Sequence, residues 1–151
     1  MEKLSCVLLV DDDPTTNYLN RKLLERLAVT EQILVAHHGQ EALALLAAHC
    51  QPPHLTGCPT FILLDVNMPV MNGYEFLAAY QQLPAVQRQA SVIVMLTTSL
   101  HPEDVRRVEQ YGVTTFLSKP LAQAKIGEVL KAHFGRELPG SSGRSKEAKL
   151  G

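Results

Sequence analysis

Three aspartates stand in a row at Asp11, Asp12 and Asp13, and a fourth stands far downstream at Asp65. The whole 151-residue chain has five, the last being Asp104. A threonine, Thr97, and a lysine, Lys119, follow at similar intervals. Carboxylates gathered in one pocket repel each other, by about 4 kcal/mol for two of them 4 Å apart at an effective dielectric near 20. Such a cluster calls for a cation, a protonated member, or both. A few oxygen ligands with retained waters suit Mg²⁺. Lys119 would add a fixed positive charge, and Thr97 a hydroxyl donor.

Each of these residues stops an apolar run. CVLLV ends at Asp11-Asp12, FILL at Asp65, VIVML at Thr97 and TTFLS at Lys119. Strands of a parallel sheet covered on both faces read as continuous apolar runs, and ligands of open α/β sheets bind just past the strands' carboxyl ends. The expected strands are Leu4–Val10, Gln32–Ala36, Thr60–Leu64, Ser91–Leu96 and Thr114–Leu117. Helices alternate with them. Asp13-Pro14 reads as an N-cap followed by proline at the first helical position, and Leu19, Leu23, Leu24 and Leu27 give that helix one apolar face. A second helix opens at Gly39. Asn72-Gly73 turns into a third, with Phe76, Leu77 and Tyr80 as core contacts. The fourth runs from near Pro102 to Gly112, a C′ glycine, and the fifth from about Leu121 to Phe134. Gln51–Pro59 and Leu83–Ala90 read as loops. The pattern is α/β, (βα)₅, and right-handed crossovers close it as a doubly wound, five-stranded parallel sheet. The flavodoxin-like order 2-1-3-4-5 puts its switch point between strands 1 and 3, where Asp11, Asp12 and Asp65 would meet. Residues 1–134 then form one domain, and 135–151, rich in Gly, Ser and Lys, read as a disordered tail or an expression remnant.

Bulk properties narrow the function. With 46% apolar and 19% charged residues and a formal net charge of −1, the chain has no basic stripe for nucleic acid and no charge that draws it to an anionic membrane. No apolar run approaches the roughly 20 residues of a spanning helix. Three cysteines, Cys6, Cys50 and Cys58, make an odd, sparse set that suits a reducing cytoplasm better than a disulfide framework.

The segments VLLVDDDP, LLDVNMPVMNG, VIVMLTTS and FLSKP, in that order over residues 4–134, resemble the receiver domains of two-component response regulators, and the stand-alone chemotaxis regulators in particular. The resemblance implies that Asp65 is the phosphoacceptor, taking its phosphoryl group from a sensor histidine kinase or a phosphotransfer protein. Asp12 would bind Mg²⁺ (or Mn²⁺) directly, with Asp11 close by, Asp65 beside it and the backbone carbonyl of Asn67 as a further ligand. Thr97 would hydrogen-bond one phosphoryl oxygen and Lys119 would pair with another. Phe116 matches an aromatic switch position, and Lys119-Pro120 a bond that is usually cis. Carboxylates are known covalent phosphate carriers, and phosphoryl transfer needs mainly positioning and charge neutralisation. The added charge would draw Thr97 and let Phe116 rotate, changing the face made by helix 4, strand 5 and helix 5. That face would meet a downstream protein, or a second copy in a homodimer formed on phosphorylation. The position after Thr97 is usually small in the family. Thr98 is bulkier, which predicts slower loss of the phosphoryl group. Too few residues follow helix 5 for an output module, so a single-domain regulator is expected.

The same residues allow other readings. Asp13 alone reads as a helix cap, a lone Thr97 as an ST-turn residue and a lone Lys119 as a solvated surface residue; their joint placement favours function. Asp11-x-Asp13-x-Thr15 also resembles the first motif of haloacid-dehalogenase-type phosphohydrolases, but no aspartate follows Asp104 and Asp65 would have no role. A receiver-like binding module that is never phosphorylated is the second alternative. His49, Cys50, His54 and Cys58 include zinc-ligand types, although adjacent His49-Cys50 fits one tetrahedral site poorly. Cys6 reads as a buried strand residue.

Overall fold

The computed structural model describes residues 3–50, 58–66, 71–89, 91–98, 102–113 and 115–135. The elements run β1 (Val7–Val10), α1 (Pro14–Leu27), β2 (Ile33–Ala36), α2 (Gly39–His49), β3 (Phe61–Asp65), α3 (Gly73–Tyr80), α4 (Ala85–Gln89), β4 (Val92–Thr97), α5 (Pro102–Glu109), β5 (Thr115–Ser118) and α6 (Gln123–Phe134). All strands are parallel, in the order β2-β1-β3-β4-β5, as the alternating pattern predicts. The fourth and fifth predicted helices are α5 and α6.

The central strands β1 and β3 are buried throughout, whereas edge strands β2 and β5 are only partly covered. This difference follows from the double winding. Alternate side chains of each strand point to opposite faces. Leu8, Val10, Ile62 and Leu64 enter one core with Ala42 and Leu46 of α2, Phe76 and Leu77 of α3 and Val108 of α5. Val7, Leu9, Phe61 and Leu63 enter the other with Leu24 of α1 and Ile126, Val129 and Leu130 of α6. Burying each such side chain contributes about 1.5–3 kcal/mol before conformational entropy is counted.

The helix ends follow the local sequence signals. Asp13 caps α1 by accepting from Thr15 N at 3.0 Å, with Pro14 in the first turn. Asn72 and Glu75 form a reciprocal capping box at α3. Gly112 and Gly135 take positive φ after α5 and α6. Ala28 also takes positive φ, at 54°, to end α1.

Three features depart from the sequence reading. Strands β3 and β4 each extend to include the polar residue that was expected to follow them, since only the side chain of Asp65 or Thr97 must leave the ladder, and β5 runs one residue further than expected, to Ser118, just short of Lys119. Asp65 pairs in register with Leu96, and Thr97 with Ser118. Part of the expected 83–90 loop is the helix α4, whose five residues are too few to show a period. Most importantly, Cys50 and Cys58 are joined by a disulfide, where sparse thiols were expected. The end of α2 and the approach to β3 return to the same point, with Cα atoms 4.5 Å apart, inside the range a disulfide spans. Most of the predicted Gln51–Pro59 loop, and residues 136–151 of the predicted tail, lie outside the described residues.

Candidate functional site

Two neighbouring strands deliver the acidic residues. β1 and β3 pair from Val7 with Phe61 to Val10 with Leu64, so the next residues, Asp11 and Asp65, emerge side by side at the sheet's carboxyl edge. Both are buried, at 3% and 6% exposure, while Asp12 points to solvent. One carboxylate oxygen from each of Asp11, Asp12 and Asp65 can be chosen so that all lie within 4.8 Å of one another.

Lys119 crosses the sheet edge from β5 to join them. Its Nζ lies 2.8 Å from Asp11 Oδ2 and 3.0 Å from Asp65 Oδ1. Its backbone N–H donates to the carbonyl of Thr97 at 2.7 Å, which ties the ends of β4 and β5 together. The Lys119-Pro120 bond is cis, in line with the expectation from sequence.

The charges control one another. Burial pushes the Asp65 carboxyl above its ordinary range; the hydrogen bond from Lys119 opposes this, and repulsion from Asp11 adds to it. Burial works against the Lys119 ammonium, but its bonds to Asp11 and Asp65 outweigh that and hold it above its usual value. Asp13 stands apart. Its carboxylate accepts from Thr16 Oγ1 and Thr15 N, which lowers its pKa. It caps a helix and faces solvent, as the sequence suggests, and this leaves it badly placed as the acid/base of a phosphohydrolase.

Two positioning residues carry no obvious chemical signature in the sequence. Asn17, buried in α1, donates from Nδ2 to the carbonyl of Asp11 at 2.8 Å and to that of Ala36 at 3.4 Å. It thereby pins the ends of β1 and β2. Gly73 donates to the carbonyl of Val66 at 2.9 Å. A Cβ there would come within 2.8 Å of Asp65 O and 3.0 Å of Val66 Cα. Only glycine lets α3 start this close to the end of β3.

Thr97 is half-buried at the last position of β4, and Thr98 after it is exposed. Phe116 is half-buried in β5, opposite Met95, and packs on the core of α2 and α3. Asn67 lies outside the described residues, as does His54. In this structure Cys50 and Cys58 are bonded to each other, so neither sulfur is a thiolate ligand for the zinc set considered from sequence.

A doubly wound sheet in this order, with an acidic pocket and a lysine at its carboxyl edge, defines a receiver-type α/β domain. Residues 7–131 match the response regulator receiver domain family, and the chain belongs to that family. It is 33% identical over 129 residues to a probable chemotaxis protein CheY of Rhizobium etli, covering 85% of this chain and 92% of that one. It is 30% identical to a probable C4-dicarboxylate response regulator DctR of Priestia megaterium, and spans only 53% of that relative's length. Among solved structures, a two component response regulator from Cytophaga hutchinsonii superposes with a TM-score of 0.78 at 27% identity, covering 89% of this chain and all of that one. The chemotaxis response regulator CheY4 of Vibrio cholerae gives 0.68 at 31%, covering 86% and 98%. No helix among the described residues is long and apolar enough to cross a membrane.

Proposed function

We propose that this chain is a phosphorylation-dependent response regulator whose Asp65 accepts a phosphoryl group from the phosphohistidine of a sensor kinase or phosphotransfer protein. The observation that carries this reading is the single ammonium of Lys119 shared between buried Asp11 and Asp65. In the reaction, Asp65 Oδ attacks phosphorus, the N–P bond breaks with its electron pair leaving on the imidazole, and an acyl phosphate forms. Lys119 is then poised to pair with a phosphoryl oxygen, and Thr97 to donate to another. The all-oxygen donor set of Asp11, Asp12 and Asp65 fits Mg²⁺ or Mn²⁺, and Asn67 is the further ligand in this reading. A bound divalent ion would neutralise charge on the transferring group.

The proposed readout is the surface of α5, β5 and α6. Among the described residues, α5 buries only Val108 fully. Arg107 also stacks on the Tyr74 ring, 3.7 Å from its centroid. A helix that buries so little can be shifted at low cost, and Phe116 of β5, which packs against the same core cluster as Val108, is the element that would turn. The donor protein is proposed to approach across α1. Tyr18 and Leu19 are more than half exposed there, and Leu19, Asn20, Leu23, Leu96 and Lys119 line a groove next to the pocket. A cytoplasmic location and a protein target belong to the same reading.

Incubation with acetyl phosphate and Mg²⁺, followed by intact-mass measurement, tests it. One phosphoryl adduct is expected, its formation blocked when EDTA is added before the donor, and absent in Asp65→Asn. Full labelling of Asp65→Asn would overturn the assignment. No labelling of the native chain, from either acetyl phosphate or a phosphorylated histidine protein, would favour the unphosphorylated binding module. Leu19→Asp should slow transfer from a protein donor and leave labelling by acetyl phosphate intact.

A further inference from the structure

Cys50 ends α2 and Cys58 leads towards β3, and both sit in the core beneath α2 and α3, at 4% and 2% exposure. They are bonded across a sequence separation of 8. A third segment meets them. Buried Gln87 of α4 donates from Nε2 to the carbonyl of Cys50 at 2.6 Å. The junction lies at the amino end of β3, seven residues before Asp65. At about 3.3 Å per residue this is roughly 20 Å away, so no step of the phosphoryl chemistry uses it. The remaining cysteine, Cys6, is 1% exposed, its Sγ–H faces the carbonyl of Val7, and burial pushes its thiol up to about 11. A thiol held protonated in this way is a poor partner for exchange.

We propose that Cys50 and Cys58 form a reversible dithiol–disulfide site that latches the end of α2 to the approach of β3. The oxidant is a low-molecular-weight disulfide and the reductant a low-molecular-weight thiol. One cysteine thiolate attacks a sulfur of the external disulfide and expels a thiolate. The second cysteine thiolate attacks the protein sulfur of the mixed disulfide and expels the other. Two protein thiols are oxidised, one external disulfide is reduced to two thiols, and the two protons pass to the departing thiolates. Both cysteines are buried, so exchange proceeds through opening of this junction. In a reducing compartment the resting state is the dithiol, and a rise in oxidant closes the latch. Closure removes freedom from the unfolded chain over a short loop and is expected to raise Tm by about 5–10 °C. The inference is independent of the phosphoacceptor reading.

The test uses the purified full chain, equilibrated in reduced or oxidised glutathione, then denatured, alkylated and weighed. Three alkylated thiols are expected in the reduced state and one in the oxidised state, with a cross-linked Cys50–Cys58 peptide on digestion. Tm should be higher in the oxidised state, and Cys6→Ala should keep the difference. The Cys50→Ala, Cys58→Ala double variant should melt at one temperature in both buffers. Three free thiols in oxidised glutathione, or a cross-link through Cys6, would overturn the proposal. So would an unchanged Tm on closure. If the double variant does not fold, the peptide map and the two-buffer Tm of the native chain still decide.

Discussion

The two ends of the sheet solve opposite problems. At the amino end the entrances of β1, β2, β3 and β4 are tied off. Leu4 N donates to Val29 O and Glu31 N to Leu4 O, while Thr60 gives both N–H and hydroxyl to the carbonyl of Cys6. Ser91 Oγ donates to Pro59 O, and the disulfide closes the corner. These are short-range, neutral and mutually satisfied contacts. At the carboxyl end, two buried carboxylates share one ammonium, and a third, exposed carboxylate stands beside them. The first arrangement stabilises the fold. The second concentrates negative charge around one ammonium, the arrangement on which the proposed cation and phosphoryl chemistry rests, and it can do so because the first keeps the strands in register.

This contrast can be broken at either end. After the loss of labelling expected for Asp65→Asn, the largest effect is expected from Lys119→Ala, which removes the positive charge that opposes Asp11 and Asp65. Labelling by acetyl phosphate should slow by about 100-fold or more, the scale of losing one charge-stabilising donor. Urea denaturation should also show lower stability at pH 7, recovering in part as the carboxylates protonate. Thr98→Ala should shorten the lifetime of the phosphoryl group several-fold, followed by mass spectrometry after donor removal. An unchanged lifetime would remove Thr98 from the account. Thr60→Val, at the opposite end, should cost about 1 kcal/mol for its hydrogen bond and leave labelling untouched. A labelling defect in that variant would break the division between the two ends.

Asp65→Asn sharpens the contrast through pH. The folded pKa of Asp65 is raised, so the group's contribution to stability is greatest at low pH and is lost as pH rises through that value. The amide variant should therefore be more stable than the native chain at pH 7 in urea, with the gain shrinking in acid. A carboxylate that served only the fold would show the reverse. The smallest effect belongs to Ala28, which ends α1 at a φ of 54°. Ala28→Gly should add about 0.5–1 kcal/mol by relieving the left-handed strain, without changing phosphorylation.

Much of this is written in the linear chain because parallel strands leave a clear trace. The runs VLLV, FILL and VIVML are apolar without alternation, since both faces of β1, β3 and the middle of β4 are covered, and Asp11 and Asp65, which end the first two, meet in the pocket. Asp13 could be set apart by its cap chemistry before any geometry was known. What was not legible depends on distance in space. Nothing marks Asn17 as the pin between β1 and β2, because an asparagine in the first turns of a helix usually faces water. The nearness of Cys50 to Cys58 was hidden by counting cysteines across the whole chain, although a proline-rich segment between two of them was a usable signal. α4 is a single short helical stretch, below the length at which periodicity exists.

Gly73 has no charge and no reactive atom, yet the end of β3 has room for nothing larger against the carbonyl of Asp65. In genetic terms this makes the pocket's weakest point a silent-looking one. A single base change converts a glycine codon to alanine. It would leave Asp11, Asp12, Asp65, Thr97 and Lys119 all in the sequence, and still shift the Asp65 carboxylate on which the proposed chemistry depends. A survey of inactive variants that scored only the charged residues would pass over it.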